Sequence, residues 1–209
     1  MERTRLFLIR HGQVEGFEAK RYNGQKNVAL TGHGRRQLDE VAARLAGVPL
    51  DAVWSSDLDR CRYGAERLAA PRGLAVVYRE NLRELHAGAW EGLAWDELQE
   101  LYPTEWQERL DDIANYRIPG GESFRDAAQR VLPELDRLRA AHPGLNVAVV
   151  AHGGVNRIIL LEALGAPLEK VFSLEQDYAC LNVIDYFADG YRTVRLMNAD
   201  HLPEGLCLR

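Results

Sequence analysis

The sequence predicts an α/β protein with a mostly parallel sheet between two helical layers, a three-layer α/β/α sandwich. Three observations carry that prediction. Short apolar runs alternate with segments of helical period along most of the chain, the order that βα units produce. Two of those runs, at 6–9 and 147–151, are apolar at every position, as strands covered on both faces must be. Each run ends in a histidine followed by glycine, Arg10-His11-Gly12 and His152-Gly153-Gly154, as though two parallel strands delivered similar groups to one sheet edge.

Taken in order, the first strand leads into a polar loop over about 12–30 containing Arg21-Tyr22-Asn23-Gly24. Thr31-Gly32-His33-Gly34 then opens a helix whose inward face is Leu38, Val41, Ala42 and Leu45, stopped by Gly47 and Pro49. His33, in the first turn, reads as solvated. A second strand spans 52–56. Asp57 is the expected N-cap of a helix that buries Leu58, Cys61, Ala65, Leu68 and Ala69 and carries Arg60 and Arg62 in its first turns. A third strand spans 74–78, followed by a loop over 82–92 with two candidate carboxylates, Glu84 and Glu91. Residues 94–116 read as short helices broken near Pro103, forming a cap over the pocket. After the turn Pro119-Gly120-Gly121-Glu122-Ser123, a capping box of Ser123 and Asp126 starts a long helix in which Pro133 predicts a kink. A strand at 145–151 and a helix at 155–164 follow. Strands at 180–187 and 191–197 form a hairpin about Asp189-Gly190, and the tail through Pro203 and Gly205 reads as irregular. No linker or repeat interrupts this, so 1–209 reads as one domain with a cap insertion at about 93–118.

Composition narrows the function. Of 209 residues, 46% are hydrophobic and 27% charged, enough to bury a core without covalent staples. A net charge of -5 argues against a sequence-independent grip on nucleic acid or acidic lipid. No apolar run is long enough to span a bilayer, and the start lacks the pattern of a signal peptide. Cys61, Cys180 and Cys207 are odd in number and widely spaced, which favours reduced thiols and a cytoplasmic location. Cys61 stands beside arginines, yet it reads better as a small buried apolar residue. A monomer and a homodimer both fit.

The chemistry lies at the two histidines. With Arg10 adjacent and Arg60 entering from the next strand's helix, an anionic ligand is expected. Zinc is disfavoured, because no third ligand stands at suitable spacing and the arginines would repel a cation. A GxSxG elbow and a P-loop are both absent.

These residues resemble the histidine phosphatase superfamily, the phosphoglycerate mutase-like fold. The signposts are Arg10-His11-Gly12; Leu30-Thr31 with Gly34 and Gln37; Ser55-Ser56-Asp57-Leu58 with Arg60; Arg83-Glu84 before Gly88; Trp90-Glu91-Gly92; Gly120-Gly121-Glu122-Ser123; and Ala151-His152-Gly153-Gly154. The resemblance implies that His11 is a nucleophile that becomes phosphohistidine. It implies that Arg10, Arg60 and His152 cradle the phosphoryl group, and that Glu84 protonates the leaving alcohol and then activates water. It implies no metal and no cofactor. Gln13 stands where the family often has Glu, and Phe17 where many members have a phosphate-contacting Asn. The pocket is therefore a donor short unless the Gly153 amide, next in order Asn23, or else Gln13 replaces it. Asn156 reads equally as a pocket residue or a helix-surface one. The implied activity is hydrolysis of a small phosphorylated metabolite, with the alpha-ribazole phosphatase-like or broad-specificity branch nearest. The rivals are a cofactor-dependent phosphoglycerate mutase, for which the span from Glu84 to His152 looks short, and a non-catalytic phospho-ligand binding module. Specificity is expected in the 12–30 loop and the cap, from Arg21, Tyr22, Trp95, Tyr102, Trp106 and Tyr116.

Overall fold

Six strands form one sheet in the computed structural model, which describes residues 2–201. They are β1 (Arg3–Arg10), β2 (Ala52–Ser56), β3 (Val76–Arg79), β4 (Asn146–Ala151), β5 (Leu181–Phe187) and β6 (Arg192–Ala199), in the order β3-β2-β4-β1-β5-β6. β1 is parallel to β4, and β2 is parallel to both β4 and β3. β5 runs antiparallel to β1, and β6 antiparallel to β5. The helices are α1 (Gly32–Arg44), α2 (Asp59–Ala69), α3 (Trp95–Leu101), α4 (Pro103–Asp111), α5 (Phe124–Ala141) and α6 (Gly153–Leu164). The expected irregular tail and Cys207 lie outside the described residues.

Strand alternation explains the three layers. Leu6 and Leu8 of β1, with Val147 and Val149 of β4, face one cluster completed by Ala127, Val131 and Leu135 of α5 and Val155, Ile158 and Ile159 of α6. Phe7 and Ile9, with Ala148 and Val150, face the other, completed by Leu38 and Val41 of α1 and Ala65 and Leu68 of α2. Successive side chains of a strand point to opposite faces, so an unbroken apolar run serves two cores at once.

The local signals fare unevenly. Ser123 and Asp126 form the expected capping box, each accepting the other's backbone N–H. α5 continues through Pro133 to Ala141. α3 ends at Leu101 and α4 begins with Pro103 in its first turn, where the missing N–H costs nothing. These two helices surround a third cluster, in which fully buried Trp90 stacks on Tyr116, meets Tyr22 edge to face and lies tilted against Tyr102 and Trp106. Asp57 does not cap α2. The helix starts two residues later with Leu58 at the cap, because the Asp57 carboxylate is taken by a two-pronged ion pair with Arg83. That guanidinium holds the Asp57 carboxyl below its ordinary range.

Candidate active site

Parallel pairing of β1 with β4 sets Arg10 opposite Ala151, so the two strands release His11 and His152 at the same edge. His11 is 5% exposed. Its Nδ1 lies 2.8 Å from the Gly12 carbonyl oxygen, which can only accept, so Nδ1 carries the proton and Nε2 keeps its lone pair. Burial, with Arg60 and Arg10 beside it, pushes the His11 pKa well below the ordinary value. The ring is therefore neutral at physiological pH.

His152 caps α6 and is fully buried behind His11, with the rings edge to face at 5.2 Å. Arg60 Nε donates to its Nδ1 at 3.3 Å, and its Nε2 meets Ser56 Oγ at 2.9 Å. Those partners require a proton on Nε2, which donates to the serine hydroxyl. Burial and the same two arginines, together with His11, hold its pKa low as well. His152 is not among the cavity-lining residues; it orients Arg60 and backs His11. Cys61 also touches this ring, and burial pushes its thiol up to about 12, as befits an inert packing residue.

Arg60 and Arg10 are preset differently. Arg60, 2% exposed, donates to the carbonyls of Lys26 and Gly24, which ties the first loop to α2. Arg10 donates to the Gln176 carbonyl and lies 4.1 Å above the Tyr178 ring, while its Nε is buried without a partner.

Glu84 is the most heavily positioned group. Its Oε2 accepts the Gly154 N–H and its Oε1 the Leu85 N–H, both at 3.0 Å. Its backbone carbonyl is held by Arg130 and Gln25. Arg130 in turn grips both oxygens of Glu122 at 2.8 Å and the carbonyls of Asn81 and Arg83. The Gly-Gly-Glu-Ser turn thus fixes the loop that presents Glu84. Glu91, the other candidate, accepts the Gln25 N–H and is structural.

A Cβ at Gly154 would push against Glu84 Oε1 and Leu85 Cδ1, the ends of two side chains that would have to move aside. Gly154→Ala is expected to cut turnover about a hundredfold by displacing the carboxylate, with vanadate still bound, as steady-state kinetics and competition will read.

A cavity of about 170 Å³ is lined by Arg10, His11, Arg60, Glu84, Gly153 and Asn23 from the expected set. Gly153 sits at the N-terminus of α6, whose amides and dipole favour an anion. Arg21, Tyr22 and Trp95 line it too, whereas Tyr102, Trp106 and Tyr116 pack the third cluster. Phe17 lies in a short turn, 36% exposed, and Asn156 is fully buried; neither lines the cavity. His33 is exposed, as expected. The lining residues that escaped the sequence reading include Arg109, Arg157, Phe172 and Tyr178. Arg157 was accessible in principle, because it lies one helical turn beyond Gly153 on the helix that His152 opens. Tyr178, beside His11 at 5.7 Å, comes from a loop with no local signal.

Comparison with known proteins settles the family. The family model of the histidine phosphatase superfamily (branch 1) matches residues 6–199. The chain belongs to this superfamily. A bifunctional protein of Mycobacterium tuberculosis is 39% identical over 198 residues, 93% of this chain and 54% of that protein. The chain therefore spans about half the length of the first curated relatives it matches. Phosphoserine phosphatase 1 of Hydrogenobacter thermophilus is 30% identical over 181 residues, 87% of this chain and 86% of that one. A relative in Erwinia tasmaniensis, named a probable phosphoglycerate mutase, is 34% identical over 205 residues, 95% of each chain. Among solved structures, the alpha-ribazole phosphatase of Shigella flexneri superposes with a TM-score of 0.86 at 28% identity, covering 95% of this chain and 98% of that one.

Proposed function

We propose that this protein is a metal-independent phosphatase that hydrolyses a small phosphate monoester through a phosphohistidine at His11. One observation carries the reading. A neutral imidazole, with Nδ1–H fixed on Gly12 and Nε2 left as a nucleophile, shares a cavity with Arg10, Arg60 and Glu84. His11 Nε2 attacks phosphorus while the bond to the ester oxygen breaks, and Glu84 gives that oxygen its proton. Water then attacks phosphorus, Glu84 takes a proton from it, and the P–N bond breaks to restore His11. Arg10 and Arg60 hold the charge that spreads over the equatorial oxygens, with the Gly153 amide and Asn23 as further donors. His152 supports the cradle by fixing Arg60 and backing His11.

Relatives named for phosphoserine and alpha-ribazole phosphatases support hydrolysis of a small phosphorylated compound, with alpha-ribazole phosphate or a sugar phosphate as candidate substrates. The relative named as a mutase favours a second reading, transfer between hydroxyls of phosphoglycerate. The test is a panel of phosphoserine, sugar phosphates and alpha-ribazole phosphate, with rapid acid and base quenching of radiolabelled esters. A phosphatase releases phosphate and leaves an acid-labile, base-stable label on the peptide containing His11. Interconversion of phosphoglycerates with trace bisphosphoglycerate and no phosphate release would establish the mutase instead. Absence of both turnover and label would leave only a binding module.

A further inference from the structure

Arg157 lines the cavity beside His11 and has no part in the reaction described above. It lies one helical turn beyond Gly153 on α6, and its side chain is 15% exposed. Nε donates to the Leu174 carbonyl at 2.7 Å, and the guanidinium lies 5.5 Å from the centroid of Phe172. These two contacts hold the side chain against the segment that follows α6 and leave Nη1 free to reach back over Gly153. A Cβ built on Gly153 would stand 3.2 Å from Arg157 Nη1 and 3.4 Å from Arg10 Nε. Two guanidinium groups therefore meet above the residue that opens α6 and itself lines the cavity.

Like charges held this close repel unless an anion joins them. Among the described residues, the ion pair given to Arg157 is with Glu175, at 3.9 Å; that carboxylate is 81% exposed, so water screens the pair and it contributes little. Glu84, the carboxylate of the cavity, already accepts a backbone N–H at each oxygen. Arg10 Nε is buried without a partner. Burial, with Arg10 beside it, draws the Arg157 pKa below its ordinary value, which fits a cation short of a counter-ion. An oxygen placed at Gly153 would receive Arg10 Nε, Arg157 Nη1 and the positive end of α6 together. Arg10 follows β1 directly into His11, so that oxygen belongs to the group on the His11 nitrogen and not to a distant part of the ligand.

We infer that Arg157 is a third arginine of the phosphoryl cradle, donating from Nη1 to an oxygen of the transferred group beside Gly153 and Arg10 Nε. The inference deepens the phosphatase reading above and rests on it. Arg157 then makes good the donor that Phe17, outside the cavity, does not supply. The test measures the affinity of wild type, Arg157→Gln and Arg157→Lys for orthovanadate and inorganic phosphate by calorimetry, together with kcat/KM for glycerol 3-phosphate, phosphoserine and 4-nitrophenyl phosphate. Arg157→Gln is expected to weaken both oxyanions about ten- to hundredfold and to lower kcat/KM by a similar factor on every ester, because the phosphoryl group is what they share. Arg157→Lys is expected to recover part of the loss, since it keeps the charge without the fork. Unchanged affinity for both oxyanions, with only a lower melting temperature, would make Arg157 a brace between α6 and the segment after it and would overturn the inference. A loss confined to one ester would place Arg157 on the leaving group and would overturn it as well. If Arg157→Gln fails to fold, the oxyanion affinity of Arg157→Lys decides in the same way. Calorimetry needs no turnover, so the two readings fail separately. No hydrolysis of any ester by the wild type refutes the phosphatase, whereas hydrolysis with oxyanion affinity indifferent to Arg157 refutes this inference alone.

Discussion

His11→Ala is expected to abolish both turnover and the trapped label, whereas Glu84→Gln cuts turnover about a hundred- to ten-thousandfold and leaves vanadate binding intact. The two variants separate the nucleophile from the proton donor. Without His11 no nitrogen remains to take the phosphoryl group, and His152 cannot substitute, since both its ring nitrogens are engaged by Arg60 and Ser56. Glutamine at 84 keeps an oxygen able to accept the Gly154 N–H and leaves the Arg130 grip on the backbone carbonyl untouched. The loop stays in place through Arg130, while the transferable proton and the acceptor for the Leu85 N–H are lost. The defect should therefore depend on the leaving group. It should be deep for an alkyl phosphate, whose alkoxide leaves poorly, and shallow for 4-nitrophenyl phosphate, whose phenolate needs no proton. Steady-state kinetics on both esters, with vanadate competition, read this directly. An equal loss on both esters, or loss of vanadate binding, would remove Glu84 from the role of acid and make it a structural post.

The parts of the site that were legible in the sequence are those fixed by short-range geometry. His11 and His152 each end an apolar strand, and parallel pairing turns that resemblance into proximity. The family's motif order then assigned Arg60 and Glu84. What was not legible depends on contacts between distant segments. Asp57 reads as a helix cap until Arg83 arrives from a loop 26 residues away and takes its carboxylate. Glu122 stood out only as part of a turn motif; its use appears once Arg130, two turns into α5, reaches both its oxygens and the carbonyl of Glu84. Arg109 looks like any solvated charge on a short helix. Only folding of Tyr22 and Phe124 around it, from segments far apart in the chain, shows that water has been excluded. Pairwise tertiary contacts of this kind have no period and no local signature.

Asp185→Ala is expected to destabilise the fold by about 3–5 kcal/mol, the largest stability loss foreseen for a single polar substitution here. Asp185 lies opposite Arg5 in the β1–β5 register, and both are at most 2% exposed. The guanidinium reaches its two oxygens at 2.6 and 2.8 Å, a bidentate arrangement that only arginine makes with a carboxylate. Arg3 at 3.5 Å and Arg195 at 4.0 Å approach the same carboxylate from the two flanking strands. Removing it takes the bidentate partner from a buried guanidinium, the costly half of breaking a buried pair. Asp185→Asn tests shape separately from charge and should recover little of the loss. The double variant Arg5→Met, Asp185→Leu should be closer to wild type than Asp185→Ala, because an apolar pair carries no desolvation cost. Urea denaturation followed by circular dichroism measures all three, and a loss below about 1 kcal/mol for Asp185→Ala would show the pair to be solvated after all. The consequence reaches the active edge, since β1 runs from Arg5 to Arg10 and hands His11 to the cavity. A strand loosened at its start would lower the temperature at which the proposed activity fails before it changed the rate constants of the folded protein.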